Sequence, residues 1–139
     1  MLSEKVSDDW CGLADRWLLD PVLAEDLVLL DQWAAAELSA KGIRWQGLFV
    51  ISGYRSPSLQ AVINPHAPRS FHTRCPSMAA DLRVANQPAS LTEIETWFWL
   101  GQRWEFMGHR WGGRFRPPDL NHFDLGRAFD GSTQDKQLN

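Results

Sequence analysis

The alternation of apolar and polar positions predicts an order of two helices, a strand, a short helix, a second strand, a long helix and a last strand. Leu23, Leu27, Leu30, Ala34 and Leu38 recur at helical spacing, so a helix with one buried stripe is expected. Asp20-Pro21 begins it as N-cap and first helical residue, and Lys41-Gly42 ends it. A shorter helix precedes it, capped by Ser7 with Asp8 and Asp9 in its first turn and Trp10, Leu13, Ala14, Trp17 and Leu18 on one face. Gly47 to Ser52 is short, apolar and β-branched, which predicts a buried strand. Gly53 to Pro57 is a turn, and Pro57 opens a short helix through Ala61 and Ile63.

Residues Asn64 to Arg69 form a proline-containing loop. Met78 to Val84 then alternates, with Met78, Ala80, Leu82 and Val84 on one face and Ala79, Asp81 and Arg83 on the other. Ser90-Leu-Thr-Glu93 has the form of a capping box. The helix it opens runs to about Met107, before Gly108, with Ile94, Trp97, Phe98, Leu100 and Trp104 as its apolar face. Trp111-Gly-Gly113 is turn-like and Arg116 to Asp119 is a rigid loop. Leu120 to Leu125 alternates again, placing His122 and Asp124 on one face and Phe123 and Leu125 on the other. Helices first, then strands interrupted by a helix, predict an α+β domain: a small, mainly antiparallel sheet with N-terminal helices and one helix between the two histidine- and aspartate-bearing strands.

Length and composition add bounds. The 139 residues fit one domain over 1–139, with 130–139 as a polar, frayed tail. Eight tryptophans exceed the usual share, so most are expected in the core and some in a cleft wall. A net charge of −3 argues against a general attraction to nucleic acid or anionic membrane. No stretch is apolar enough for a membrane span, and the N-terminus lacks the apolar core of a secretory signal. Two cysteines, Cys11 and Cys75, do not make a disulfide framework and fit synthesis in a reducing cytoplasm. A monomer is expected.

The chemistry gathers around Asp81. It is the only carboxylate between Glu37 and Glu93, and Arg55, Arg69, Arg74 and Arg83 surround it in sequence. His72, Asp81 and His122 can supply three ligands to one metal ion with an open position, the pattern of a hydrolytic zinc site. Asp119, three residues before His122, suits the general base for a bound water. Arg55, in a glycine-containing turn after a buried strand, can reach a carboxylate or a developing oxyanion.

These residues also resemble a known family. Ser52-Gly-Tyr-Arg-Ser56, Ser70-Phe-His72, Ala79-Ala-Asp81 and Asp119-Leu-Asn-His122-Phe are similar to the zinc peptidases that cut bacterial cell-wall peptides. That family includes D-alanyl-D-alanine carboxypeptidases and dipeptidases and the L-alanyl-D-glutamate endopeptidases of phage endolysins. The similarity covers Phe49 to Leu125. It implies one zinc ion on His72, Asp81 and His122, water activation by Asp119 and substrate stabilisation by Arg55. It also implies an α+β fold shared in outline with lysostaphin-type peptidases and the hedgehog signalling domain. The implied substrate is a peptidoglycan stem peptide, and the implied setting is the bacterial wall or periplasm after release from the cell of synthesis. The endopeptidase is the first expectation. A D-alanyl-D-alanine carboxypeptidase or dipeptidase, and a non-catalytic zinc-binding recognition domain, are the alternatives.

One departure bears on the ligands. The family places its aspartate seven residues after the first histidine, with glycine at the third position, whereas here the gap is nine and Cys75-Pro76 intervenes. Either two residues are inserted before the Asp81 strand, or Cys75 replaces Asp81 as ligand. Asp124 is either a partner of a metal-bound imidazole or an exposed carboxylate. His66 and His109 are read as surface or core residues. Arg69, Arg74 and Arg83 form either a solvated face or an attraction for an acidic peptide. Ser70, Gln60, Tyr54 and Trp111 are candidate substrate contacts, with capping or turn roles open for Ser70 and Gln60 and a cleft wall expected at Trp111.

Overall fold

The computed structural model describes residues 5–6, 10–67 and 70–126. Ser7, Asp8, Asp9, Arg69 and the tail from Asp130 lie outside the described residues, as does the cap expected there. Helix α1 spans Trp10–Trp17 and α2 spans Pro21–Ser39. The carboxylate of Asp20 accepts the Val22 N–H at 2.8 Å, the capping role its position predicts. Leu23, Leu27, Leu30, Ala34 and Leu38 are buried along α2, so the periodic stripe is the core face. Leu18 departs from expectation. It follows α1 with φ +51° and is exposed, while Leu19 turns inward, because the chain reverses there to enter α2.

Four strands follow: β1 Leu48–Ser52, β2 Ala79–Val84, β3 Arg110–Trp111 and β4 His122–Asp124. They form one antiparallel sheet in the order β1-β2-β4-β3. Helix α3 is Pro57–Ile63, capped by Ser56, and α4 is Glu93–Phe106, lying between β2 and β3 in the chain. The protein is therefore α+β, as the pattern predicts. Leu48, Val50, Ala80, Leu82, Phe123 and Trp111 are buried in one core with α2 and with Trp97, Leu100 and Trp104 of α4.

Four local expectations are corrected. The capping box of α4 is Thr92 with Glu95, not Ser90 with Glu93: the Thr92 hydroxyl accepts the Glu95 N–H and the Glu95 carboxylate accepts the Thr92 N–H. Residues 88–91 form a turn instead, closed by Leu91 N–H to the Pro88 carbonyl. The apolar face of α4 is only partly covered, since Ile94 and Phe98 are exposed. Trp111 is the end of a strand, and the turn is a 3₁₀ segment over Gly112–Arg114. Strand β4 is shorter than the alternation from Leu120, because the Asn121 side chain, not its backbone N–H, donates to the Leu82 carbonyl.

Candidate metal centre

Asp81 and His122 face one another directly across β2 and β4, and Ser52 faces Asp81 from β1 across a bulge. Side chains opposite each other in an antiparallel pair share a sheet face, so the register alone brings the carboxylate and one imidazole together. His72 arrives from outside the sheet on a 3₁₀ turn, Phe71–Thr73, capped by the Ser70 hydroxyl. Three features pin that turn: Phe71 is fully buried, its carbonyl accepts the Met78 N–H, and the His72 carbonyl accepts the Arg55 N–H.

The tautomers follow from the partners. His72 Nδ1 lies 2.7 Å from the Gly53 carbonyl oxygen, which can only accept. Nδ1 therefore carries the proton, and a neutral His72 directs the Nε2 lone pair toward Asp81 Oδ1, 3.3 Å away. Gly53 is required at this place. A Cβ there would come 2.6 Å from the Trp17 carbonyl oxygen, so the close packing of the α1 end against Gly53 sets the carbonyl that orients His72.

His122 is arranged in the opposite sense. Its Nε2 donates to Asp124 Oδ2 at 2.7 Å, leaving Nδ1 directed at Asp81 Oδ1, 3.5 Å away. Nδ1 is buried and has no hydrogen-bond partner. Asp124 is fully buried, and its carboxylate also takes two donors from the Arg110 guanidinium, Nε at 3.0 Å and Nη2 at 2.7 Å, and the Gly126 N–H at 2.8 Å. Asp124 is thus the imidazole's partner and not an exposed carboxylate. Burial would raise its pKa, but His122 and Arg110 outweigh that and hold it low.

Two imidazole lone pairs and one carboxylate oxygen converge on one place. The ligand atoms of His72, Asp81 and His122 all lie within 4.8 Å of one another, and theirs is the group able to hold a metal ion among the described residues. Tetrahedral coordination with bonds of about 2.0–2.1 Å puts neighbouring ligand atoms roughly 3.3 Å apart. The 3.3 and 3.5 Å separations match that edge. Without a metal, a proton must take the cation's place. Burial would lower the His122 pKa, but the bonds and charges of Asp124 and Asp81 outweigh it and push it up to about 9. Burial would likewise raise Asp81, but the imidazoles beside it, His122 ahead of His72, outweigh this and hold it well below the usual carboxylate range in the metal-free protein. Cys75 is exposed and stands outside the cluster, so the group that could hold a metal ion contains Asp81 and not Cys75.

Arg55 sits behind the carboxylate. Its Nη2 donates to Asp81 Oδ2 at 2.5 Å, its Nη1 to Gln60 Oε1 at 3.1 Å and its Nε to Ser52 Oγ at 3.2 Å. The other Asp81 oxygen, Oδ1, is the one that faces both imidazoles. Asp119 enters from the loop before β4, with Oδ2 3.9 Å from His122 Nδ1, and its side chain is 46% exposed. Burial is the largest influence on Asp119 and raises its pKa; His122 opposes this and the Asp81 charge adds to it, with a net upward shift.

Among the expected substrate contacts, Tyr54 is half-buried, beside Gly53. The other three lie in the interior. Trp111 is fully buried and its indole N–H donates to the Leu120 carbonyl, so it supports the loop before His122 and does not line a cleft. Gln60 is buried with its amide spent on Arg55 and the Ala67 carbonyl, and Ser70 is buried as the cap of the His72 turn. His109 bonds Asp26 and stacks on Trp104, a structural role, and His66 is exposed. Arg110 and the Gly53 carbonyl were not among the sequence candidates. Nothing in the local pattern marks either, because each acts only through pairing across the fold.

The chain matches no protein-family model and none of the curated proteins compared with it. The functional reading is therefore carried by the site and by the motif resemblance.

Proposed function

We propose that the protein is a zinc metallopeptidase that hydrolyses peptide bonds in the stem peptides of bacterial peptidoglycan, with L-alanyl-D-glutamate endopeptidase activity of the kind found in phage endolysins. The observation that carries the metal is the buried, partnerless Nδ1 of His122, aimed with His72 Nε2 at a single oxygen of Asp81. Neutral nitrogen and carboxylate donors in a three-ligand set are those of catalytic zinc sites, which keep a position open for water and substrate. When bound there, zinc supplies a water of lowered pKa and polarises the scissile carbonyl.

The surrounding residues support hydrolysis. Asp119 is partly exposed and stands beside the cluster, with a carboxylate oxygen 3.9 Å from His122 Nδ1, where a water held at the open position would lie close to it. Its carboxylate is suited to take the proton of the attacking water and to return it to the leaving amine. Arg55 holds the far oxygen of Asp81 and presents a fixed positive charge at the edge of the site, where it favours a developing oxyanion. His72 and His122 each keep one ring N–H bonded to an acceptor, which fixes their orientation before substrate arrives.

Digestion of purified cell wall with the zinc-loaded protein, followed by mass spectrometry of the new termini, tests the reading. New D-glutamate amino groups are expected. Release of D-alanine would instead assign a D,D-carboxypeptidase, and an intact wall with zinc bound would favour a recognition domain.

A further inference from the structure

A groove leads away from the metal centre along the sheet. A cleft of about 460 Å³ is lined by Ile51, Arg83, Glu93, Trp97, Leu120 and Asn121, among others. A second, of about 300 Å³, shares Arg83, Glu93 and Trp97 with it and extends to Gln87, so the two are continuous. The near end abuts the site. Ile51 precedes Ser52, which holds Arg55, and Leu120 and Asn121 join Asp119 to His122. Arg83 follows Asp81 by two residues on β2, hence about 7 Å further along the same sheet face. That is the repeat of an extended peptide, so a substrate residue two positions from the scissile bond reaches Arg83.

The groove carries two opposite charges that are not joined. Arg83 is exposed and stacks on the Phe49 ring at 4.4 Å, which fixes its stem and leaves the guanidinium fork to other partners. Glu93, in the first turn of α4, is exposed on the same groove. Neither makes an ion pair among the described residues. Between them the walls are apolar, from Ile51, Ile94 and Trp97. A single positive charge would select an anion, whereas this arrangement complements a group that bears a carboxylate and an ammonium together, each on its own partner.

We propose that this groove is the specificity subsite of the peptidase, and that it takes a substrate residue whose side chain ends in both a free carboxylate and a free ammonium, held by Arg83 and Glu93. The inference rests on the peptidase reading for its place in the substrate, but its test does not depend on turnover. Two otherwise identical stem tripeptides, one ending in diaminopimelate and one in lysine, differ only in the side-chain carboxylate. Calorimetric titration of each into the metal-free protein is expected to show the diaminopimelate peptide binding at least tenfold more tightly. Arg83→Gln should erase that difference, and Glu93→Gln should weaken both peptides while preserving their ratio. Both positions are exposed, so the variants keep the core intact, and unfolding curves check this. Equal binding of the two peptides by the wild type, or an unchanged ratio in Arg83→Gln, overturns the assignment. Discrimination by a protein that leaves purified wall uncut would support the groove while removing the peptidase reading. Wall cleavage without discrimination would do the reverse.

Discussion

His122 and Asp124 stand two residues apart on one short strand, and the imidazole donates from Nε2 to a carboxylate oxygen 2.7 Å away while its other nitrogen faces Asp81. Alternation puts both side chains on one face, and the bond turns that proximity into a fixed tautomer. The carboxylate is in turn neutralised by Arg110 from β3, so its burial is tolerated. Asp124→Asn leaves the shape but weakens the acceptor. Zinc affinity should fall about 10–100-fold, measured by competition with a chromogenic chelator.

The choice of Asp81 over Cys75 is tested by metal content. Asp81→Ala removes the oxygen shared by both imidazoles and strands the Arg55 guanidinium, so zinc stoichiometry should drop toward zero. Cys75→Ser should retain one zinc per chain, because that thiol is exposed and outside the cluster. Loss of zinc from the cysteine variant alone would reverse the assignment.

Asp119→Asn separates catalysis from binding. Removing a general base costs on the order of 10²–10⁴ in rate, with zinc content unchanged because Asp119 stands outside the ligand group.

Removing the metal exposes the protonation of His122. Its folded value of about 9 exceeds the ordinary 6.5, so the stability it contributes to the metal-free protein is fully present below 6.5 and lost as pH rises through about 9. Denaturant unfolding of the metal-free protein should show this decline, and the zinc-loaded protein should not. Zinc uptake at neutral pH should also release a proton, detectable with an indicator dye in weak buffer.

Gly112 ties the fold to the site. A Cβ there would strike the Asp119 carbonyl and come within 2.7 Å of the His122 Cβ, while the Gly112 carbonyl holds the Asp119 N–H at 2.8 Å. Gly112→Ala should cost about 1–3 kcal/mol of stability. It should also lower zinc affinity, by pushing Asp119 and His122 off their positions. Thermal melts with and without zinc would separate the two effects.

What the sequence by itself determined is local. The three- and four-residue spacing of Leu23 to Leu38 specifies α2, and alternation specifies β2 and places Asp81 away from the core, because these periods belong to the backbone geometry of one segment. Residue chemistry also singled out His72, Asp81, His122 and Asp119, since few side chains can hold a metal or move a proton. Only the tertiary structure decided the rest. The pairing of Asp81 with His122 is a matter of strand register, the exclusion of Cys75 a matter of where a loop runs, and the binding of Asp124 by Arg110 a contact between strands whose order no local period encodes. Trp111, Gln60 and Ser70 lie in the interior for the same reason, Ser70 in the capping role its position also allows: a polar or aromatic residue beside a motif is equally suited to a cleft wall and to the interior behind it. Burial depends on what the distant chain packs against it, and here these residues support the loops and turns that carry Arg55, His72 and His122.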